Sequence, residues 1–151
     1  MRIITCSFGT DGAIVRYDAG ADASVDKDDG MRALVIEDEP LVAMLISENL
    51  AELGFDSVVV DTEEAAIGAA CDRQPDLITA DVVLREGSGI EAVRRICGGR
   101  TIPTLFIVGW FHSDNIETVP HAALMRKPFQ TSTLYAAVAR ARQLAGSRLT
   151  A

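Results

Sequence analysis

Four charged side chains stand where short apolar stretches of the chain end: Glu37, Asp38, Asp81 and Lys127. Carboxylates with no Cys or His nearby form a hard-oxygen site of the kind that suits Mg²⁺. A lysine ammonium opposite a carboxylate can pair with phosphate oxygens. A metal ion and a lysine around one aspartate would stabilise the charge of a phosphoryl group in transfer, with Asp81 as the nucleophile.

A single charge at a strand end is most often simply solvated. These four side chains can form a site only if the strands that precede them bring them together. Five segments predict strands: 33–36, 56–60, 76–80, 102–108 and 122–125. Strands that alternate with helical segments indicate βαβ units and a parallel sheet. We therefore expect an α/β fold with a doubly wound five-stranded parallel sheet of flavodoxin-like order 2-1-3-4-5. Ligands bind at the carboxyl edge of such a sheet, where the four charges should converge.

The first two helices have recognisable boundary signals. Pro40 suits the first turn of a helix that stops before Gly54. Thr62 is a candidate N-cap for the second helix. Glu63 and Glu64 follow it and suit the first turn, where negative charge complements the helix dipole.

Among the later helices, only the third has clear boundary signals at both ends. Ser88 and Glu91 have the spacing of a capping box, and Gly98 suits the end of that helix. The last helix is expected over residues 130–145. Between residues 111 and 121 little sequence is available for a helix, so we expect a short or frayed one there.

The N-terminal residues differ from the rest of the chain. Residues 18–30 are mostly Asp, Ala and Gly and predict a solvated acidic tether. Residues 3–8 and 13–17 flank a Gly-containing turn and could form a short hairpin. An isolated hairpin is marginal in water, so a disordered or loosely docked tail is favoured. The expected division is a tail, one domain and a second short tail: 1–30, 31–146 and 147–151.

Length and charge restrict the class of protein. A chain of 151 residues can bury one core, and its net charge of −8 argues against binding to nucleic acid or to an anionic membrane. The three cysteines form no CxxC pair, which argues against a cysteine-based zinc site. No apolar run approaches the length of a membrane span, and the first residues are not typical of a signal peptide. We therefore expect a cytoplasmic protein.

From residue 32 to residue 145 the sequence resembles the receiver domains of bacterial two-component response regulators. Four stretches carry the resemblance: Leu34-Val-Ile-Glu-Asp-Glu-Pro40, Pro75-Asp-Leu-Ile-Thr-Ala-Asp81 followed by Gly87-Ser-Gly-Ile-Glu91, Ile102-Pro103, and Lys127-Pro128-Phe129. Their combination is specific, although each motif alone is weak.

The resemblance implies a function for the predicted site. Asp81 would accept a phosphoryl group from a histidine kinase or a histidine phosphotransferase, and Lys127 would contact the phosphate. Mg²⁺ would be held by acidic side chains and by one backbone carbonyl: Glu37, Asp38, Asp81 and the carbonyl of Val83. The expected protein is a stand-alone phosphoacceptor rather than an enzyme, with at most slow self-dephosphorylation, and it signals by protein contact or in a phosphorelay.

Two positions depart from the family. The family usually has Thr or Ser where this chain has Val108, and often Tyr or Phe where it has Leu124. Valine cannot offer the hydroxyl that hydrogen-bonds the phosphoryl group in the family, so both halves of the family's usual Thr–aromatic coupling are missing. Trp110 is a candidate partner contact or a lid over the phosphate site. His112 and His121 flank the same loop, and solvent exposure is the favoured interpretation for both.

Two other functions compete with this one. A Mg²⁺-dependent phosphatase of the haloacid-dehalogenase kind also uses an aspartyl-phosphate, but it needs a second acid two residues after the nucleophile. That position is Val83 in this chain, which argues strongly against the phosphatase. A phosphorylation-independent pseudo-receiver, a binding module, is favoured by Val108 and Leu124 but opposed by the intact acidic residues and Lys127.

Overall fold

A computed structural model describes residues 2–7, 13–18, 30–109, 119 and 121–149 of the chain. The strands, in chain order, are β1 (Arg2–Ser7), β2 (Ala13–Asp18), β3 (Met31–Ile36), β4 (Phe55–Val60), β5 (Leu77–Asp81), β6 (Thr104–Val108) and β7 (Ala122–Arg126). The helices are α1 (Pro40–Glu52), α2 (Glu63–Asp72), α3 (Gly89–Cys97) and α4 (Thr131–Leu149).

The main sheet has five parallel strands in the order β4-β3-β5-β6-β7. This is the predicted 2-1-3-4-5 order, so the predicted fold class is confirmed. The register sets Ile36 beside Val60 on one side and beside Ala80 on the other. The carboxyl ends of β3 and β5 therefore lie next to each other, and the residues that follow them share one edge.

Apolar side chains cover both faces of this sheet. On one face, α2 and α3 pack through residues that include Ile67, Val93 and Ile96. On the other face, α1 and α4 pack through residues that include Ile46 and Leu134. The three central strands β3, β5 and β6 are buried on both faces and have continuous apolar runs, which is why they could be recognised without an alternating pattern.

The helix N-termini follow the predicted caps with one exception. The Thr62 hydroxyl accepts a hydrogen bond from the Ala65 N–H at 3.1 Å. The Ser88 hydroxyl accepts from the N–H groups of Ile90 and Glu91. The reciprocal half of the expected capping box does not form, because the Glu91 carboxylate pairs with Arg94 instead.

The N-terminal segments form the hairpin that the sequence left as the less favoured alternative. Strands β1 and β2 pair antiparallel, with Arg2 opposite Asp18 and Ser7 opposite Ala13. The acidic tether expected over residues 18–30 lies, apart from residues 18 and 30, outside the described residues, and the tail stays a prediction there. The hairpin is not isolated, since β2 lies beside α2, and this answers the objection that a lone hairpin is marginal.

Two further expectations concern the C-terminal part of the chain. Helix α4 continues to Leu149, so part of the expected tail 147–151 is helical. The short or frayed helix expected within 111–121 lies, apart from residues 119 and 121, outside the described residues. Among the helices that the structure describes, none has the length and apolar character needed to cross a membrane.

Candidate functional site

Three carboxylates meet at the carboxyl edge of the sheet. Glu37 and Asp38 directly follow β3, and Asp81 is the last residue of β5. One carboxylate oxygen from each lies within 4.8 Å of the others. The structure thus brings together the acidic residues that the sequence predicted to converge.

The Lys127 ammonium lies between two of these carboxylates. Its Nζ is 3.1 Å from Glu37 Oε2 and 3.0 Å from Asp81 Oδ2. Lys127 follows β7, and its backbone N–H donates to the Val108 carbonyl at 2.7 Å, which extends the pairing of β6 with β7. The ammonium is therefore held at the site by the sheet as well as by its own ion pairs.

Each carboxylate also accepts a hydrogen bond from a nearby backbone N–H. Glu37 Oε1 accepts from Glu39 N–H at 3.1 Å, and Asp81 Oδ1 accepts from Val83 N–H at 3.2 Å. Asp38 Oδ2 accepts from Arg85 N–H at 2.8 Å. These bonds fix the carboxylates in place before any ligand binds, which reduces the cost of ordering them later.

Burial disfavours the charged forms of Glu37 and Lys127. The Glu37 side chain is 1% exposed. Burial, and then the negative charge of Asp81, raise the pKa of Glu37, while Glu39 N–H and Lys127 partly offset the rise. For Lys127, burial lowers the pKa, but the hydrogen bond to Asp81 and the charges of Glu37 and Asp81 outweigh it and leave the pKa raised. Lys127 is therefore a cation at neutral pH.

The donor set fits a small divalent cation. The three carboxylates pair with the Lys127 ammonium and, through Asp38, with the exposed Arg85 guanidinium, so the cluster keeps an excess of negative charge when all groups are ionised. All of the candidate side-chain ligands are oxygens, the donors that Mg²⁺ prefers. Val83 lies two residues after Asp81, and the role of its carbonyl as a further ligand stays a prediction.

The two predicted switch positions flank this site without hydroxyl groups. Val108 ends β6 and is fully buried in the apolar layer that α2 and α3 form with the sheet. Leu124 lies on β7 and is 45% exposed. Trp110, the candidate partner contact, lies outside the described residues.

Two residues contribute to the site in ways that the sequence did not reveal. A Cβ added at Gly89 would lie 1.8 Å from the Asp81 carbonyl oxygen, so only glycine lets α3 begin this close to β5. Glu63 accepts a hydrogen bond from Ser88 N–H at 3.0 Å. Neither contact could be predicted from the spacing of residue types, because the partner in each contact is a backbone group, which every residue has.

The expectation of solvent exposure is wrong for His121. This residue is buried, and its Nε2 lies 4.0 Å from the Cys97 sulfur, which is also buried. His121 directly precedes β7, whose pairing with β6 brings it against the end of α3. Burial raises the pKa of the Cys97 thiol, which keeps it protonated at neutral pH. His112 lies outside the described residues.

Comparison with known proteins gives the class that this fold and site define. Residues 33–139 match the family model of the response regulator receiver domain, so the chain belongs to that family. Its sequence is 33% identical over 123 residues to the transcriptional regulatory protein PdtaR of Mycobacterium tuberculosis, covering 78% of this chain and 58% of PdtaR. It is 34% identical over 112 residues to the phyllosphere-induced regulator PhyR of Methylorubrum extorquens, covering 72% of this chain and 42% of PhyR.

A solved structure agrees with these relatives. The solution NMR structure of the receiver domain of PhyR from Erythrobacter litoralis superposes with a TM-score of 0.63 at 32% identity. The match covers 75% of this chain and 90% of that domain. The chain spans about half the length of the two curated relatives, 58% and 42%, so the resemblance concerns their receiver portions.

Proposed function

We propose that this receiver accepts a phosphoryl group on Asp81 from a histidine kinase or a histidine phosphotransferase. The phosphorylated domain then signals by protein contact or passes the phosphoryl group along a relay. The observation that carries the proposal is the Lys127 ammonium, which lies 3.0 Å from Asp81 and 3.1 Å from Glu37 inside a carboxylate cluster. A solvated strand end would not bury this much charge.

The transfer step uses groups that are already in position. An Asp81 carboxylate oxygen attacks the phosphorus, the P–N bond to the donor histidine breaks, and its electron pair returns to the imidazole nitrogen. Lys127 lies against Asp81 Oδ2 and can pair with an oxygen of the arriving phosphoryl group. Val83 N–H holds Asp81 Oδ1, so the carboxylate keeps its orientation during the attack.

The acidic residues have a second task in this proposal. Glu37, Asp38 and Asp81 would hold Mg²⁺, with the Val83 carbonyl as the further ligand that the family resemblance implies. When bound, Mg²⁺ supplies positive charge against the phosphoryl oxygens, which lowers the repulsion between donor and acidic site. The domain is proposed to be a phosphoacceptor, not an enzyme, with at most slow self-dephosphorylation.

The test is the mass of the intact protein after incubation with a small-molecule phosphodonor and Mg²⁺. We expect wild-type protein to gain one phosphoryl group, and a chelator to prevent the gain. The Asp81→Asn variant should show no gain, because the amide oxygen is a poor nucleophile and forms no stable acyl phosphate. Equal labelling of wild type and Asp81→Asn would refute Asp81 as the acceptor.

A second candidate is a phosphorylation-independent pseudo-receiver. It is favoured by Val108, which is buried and apolar at the position where the family usually has a hydroxyl. Leu124 likewise lacks the aromatic ring that the family often has. The same experiment separates the two functions, since a pseudo-receiver would gain no mass under conditions that label a typical receiver in a parallel reaction.

A further inference from the structure

The loop between β5 and α3, residues 82–88, carries the backbone groups that contact the acidic cluster. Val83 N–H donates to Asp81, and Arg85 N–H donates to Asp38 at 2.8 Å. The loop also contains the carbonyl of Val83, the predicted fourth metal ligand. The position of this loop therefore controls the geometry of the cluster, and the question is what holds it.

Glu63, the first residue of α2, holds the far end of the loop. Its carboxylate Oε2 accepts a hydrogen bond from Ser88 N–H at 3.0 Å. Its Oε1 lies 3.4 Å from the Arg95 guanidinium of α3. Its own backbone N–H donates to the Glu86 carbonyl at 3.3 Å. One side chain on α2 is thus bound to the loop and to the helix that follows it.

The backbone of the loop is shaped to pack on Glu63. Gly87 has a φ of +93°, a conformation that other residues rarely adopt. A Cβ at this position would lie 2.5 Å from Glu63 Cβ and 2.6 Å from Glu63 Oε2. Glu63 therefore occupies the space that a side chain at position 87 would need.

The contact at Ser88 is transmitted to Val83 through the backbone. Val83 and Ser88 form an antiparallel bridge, and Gly89 N–H donates to the Val82 carbonyl at 3.2 Å. The loop is therefore closed on itself, and a displacement of Ser88 also displaces Val83. This path connects Glu63 with the residue that touches Asp81.

We propose that Glu63 is a positioning residue for the phosphoacceptor site, although it touches neither the acceptor nor the metal ligands. Its carboxylate holds the 82–88 loop in the shape that presents Val83 and Arg85 to the cluster. Loss of this contact weakens Mg²⁺ binding and slows phosphoryl transfer to Asp81. The inference rests on the proposed function above.

The experiment uses the 151-residue chain and tests separately whether the length or the charge of the Glu63 side chain matters. Glu63→Asp keeps the charge but withdraws the carboxylate from Ser88 N–H, whereas Glu63→Gln removes the charge and keeps an oxygen that can accept that hydrogen bond. Glu64→Asp is the matched control, because Glu64 lies in the same helical turn and is exposed. Mg²⁺ affinity is measured by calorimetry, phosphorylation by intact mass, and loop order by amide hydrogen exchange without metal.

We expect Glu63→Asp to weaken Mg²⁺ binding about three- to tenfold, less than the roughly 10- to 100-fold effect of residues that contact metal ligands directly, because Glu63 acts through the loop. The amide protons of Ser88 and Arg85 should exchange faster in this variant, and phosphorylation should slow in proportion. Glu63→Gln should stay within about twofold of wild type, because the hydrogen bond survives. Glu64→Asp should match wild type in all three measurements.

Two results would overturn the inference. In one, Glu63→Asp matches Glu64→Asp in Mg²⁺ affinity while wild type still binds Mg²⁺ and gains a phosphoryl group; the proposed function then stands without this role for Glu63. In the other, Glu63→Gln loses affinity and Glu63→Asp keeps it, which would show that the charge matters and not the position of the loop. If wild type neither binds Mg²⁺ nor gains mass, the proposed function fails instead.

Discussion

Charged residues have different surroundings at the two edges of the parallel sheet, the amino edge where the strands begin and the carboxyl edge where they end. At the amino edge, Arg32 N–H donates to Asp76 Oδ2 at 2.7 Å. The Arg142 guanidinium lies 5.7 Å from the centre of the Phe55 ring and 3.4 Å from the Met31 sulfur. The Asp76 carboxylate pairs with a backbone N–H and the Arg142 guanidinium lies against a ring and a sulfur, and these contacts tie α4 and the strand ends together.

The carboxyl edge instead gathers charges that are not balanced. Glu37 and Asp81 share the ammonium of Lys127, Asp38 lies 4.0 Å from the Arg85 guanidinium, and the Glu37 side chain is almost fully buried. Buried charge without full compensation costs stability. Such an excess of buried charge is typical of functional sites, and this supports placing the proposed function at the carboxyl edge.

The largest expected effect comes from removing one cation at each edge. Lys127→Met should reduce phosphorylation of Asp81 about 10- to 100-fold, because a hydrogen bond to a charged group contributes about 1.5–3 kcal/mol. Arg142→Met should leave phosphorylation unchanged and lower the free energy of unfolding by about 0.5–1 kcal/mol, the usual size of an exposed cation–π contact. Labelling rates and urea unfolding measure the two effects. Equal labelling of the two variants would remove the distinction between the edges.

The next effect concerns two glycines in helices. Gly89→Ala should lower the free energy of unfolding by about 1–3 kcal/mol, because its Cβ would lie 1.8 Å from the Asp81 carbonyl oxygen. Gly68→Ala in α2 should raise it by about 0.5–1 kcal/mol, because nothing lies within 4 Å of the added Cβ and alanine favours the helix. Urea unfolding of both variants checks the pair. A Gly89→Ala variant as stable as wild type would show that the carboxyl edge is not tightly packed against α3.

The smallest expected effect is a dependence of stability on pH. Burial and Asp81 raise the folded-state pKa of Glu37 above its ordinary value of 4.5, so the folded protein binds this proton more tightly than the unfolded chain does. Stability that protonated Glu37 contributes is therefore lost as pH rises from 4.5 through the raised pKa. Lys127 and Glu39 N–H oppose the shift, so the net rise is less than burial and Asp81 alone would cause.

The measurement is the free energy of unfolding of wild type and Glu37→Gln, in the presence of a chelator, at several pH values. The difference in stability in favour of Glu37→Gln should grow as pH rises above 4.5, since glutamine does not ionise. A difference that stays constant across this range would show that Lys127 and Glu39 N–H fully compensate the buried carboxylate.

Much of the fold could be predicted from the sequence. The strands around residues 33–36 and 76–80 are short apolar runs bounded by charged or turn-forming residues, and the structure places β3 and β5 there. The caps at Thr62 and Ser88 were equally local signals. These predictions succeeded because burial pattern and capping depend on residues that are close together in the chain.

The N-terminal hairpin and His121 were predicted less well for one shared reason. The stability of the β1–β2 pair depends on what lies beside it, and β2 lies beside α2, far along the chain. The burial of His121 depends on its position against Cys97, 24 residues earlier in the chain. A contact with a distant element leaves no mark in the local sequence.

Which charged groups meet at the carboxyl edge could be derived from the amino-acid sequence. Acidic residues after two strands and a lysine after a third must share an edge once the strands are parallel and the order is 2-1-3-4-5. Residue type and topology are enough for that conclusion. They also reveal the missing hydroxyl at Val108, which is a property of the residue and not of its surroundings.

The tertiary structure alone decided how these groups are held. The burial of Glu37, and with it the raised pKa, depends on how closely other residues surround its carboxylate. The bonds from Arg85 N–H to Asp38 and from Ser88 N–H to Glu63 join backbone donors to carboxylates that are distant in the chain. Every residue except proline offers such a donor, so only the folded path of the chain selects which ones reach the site.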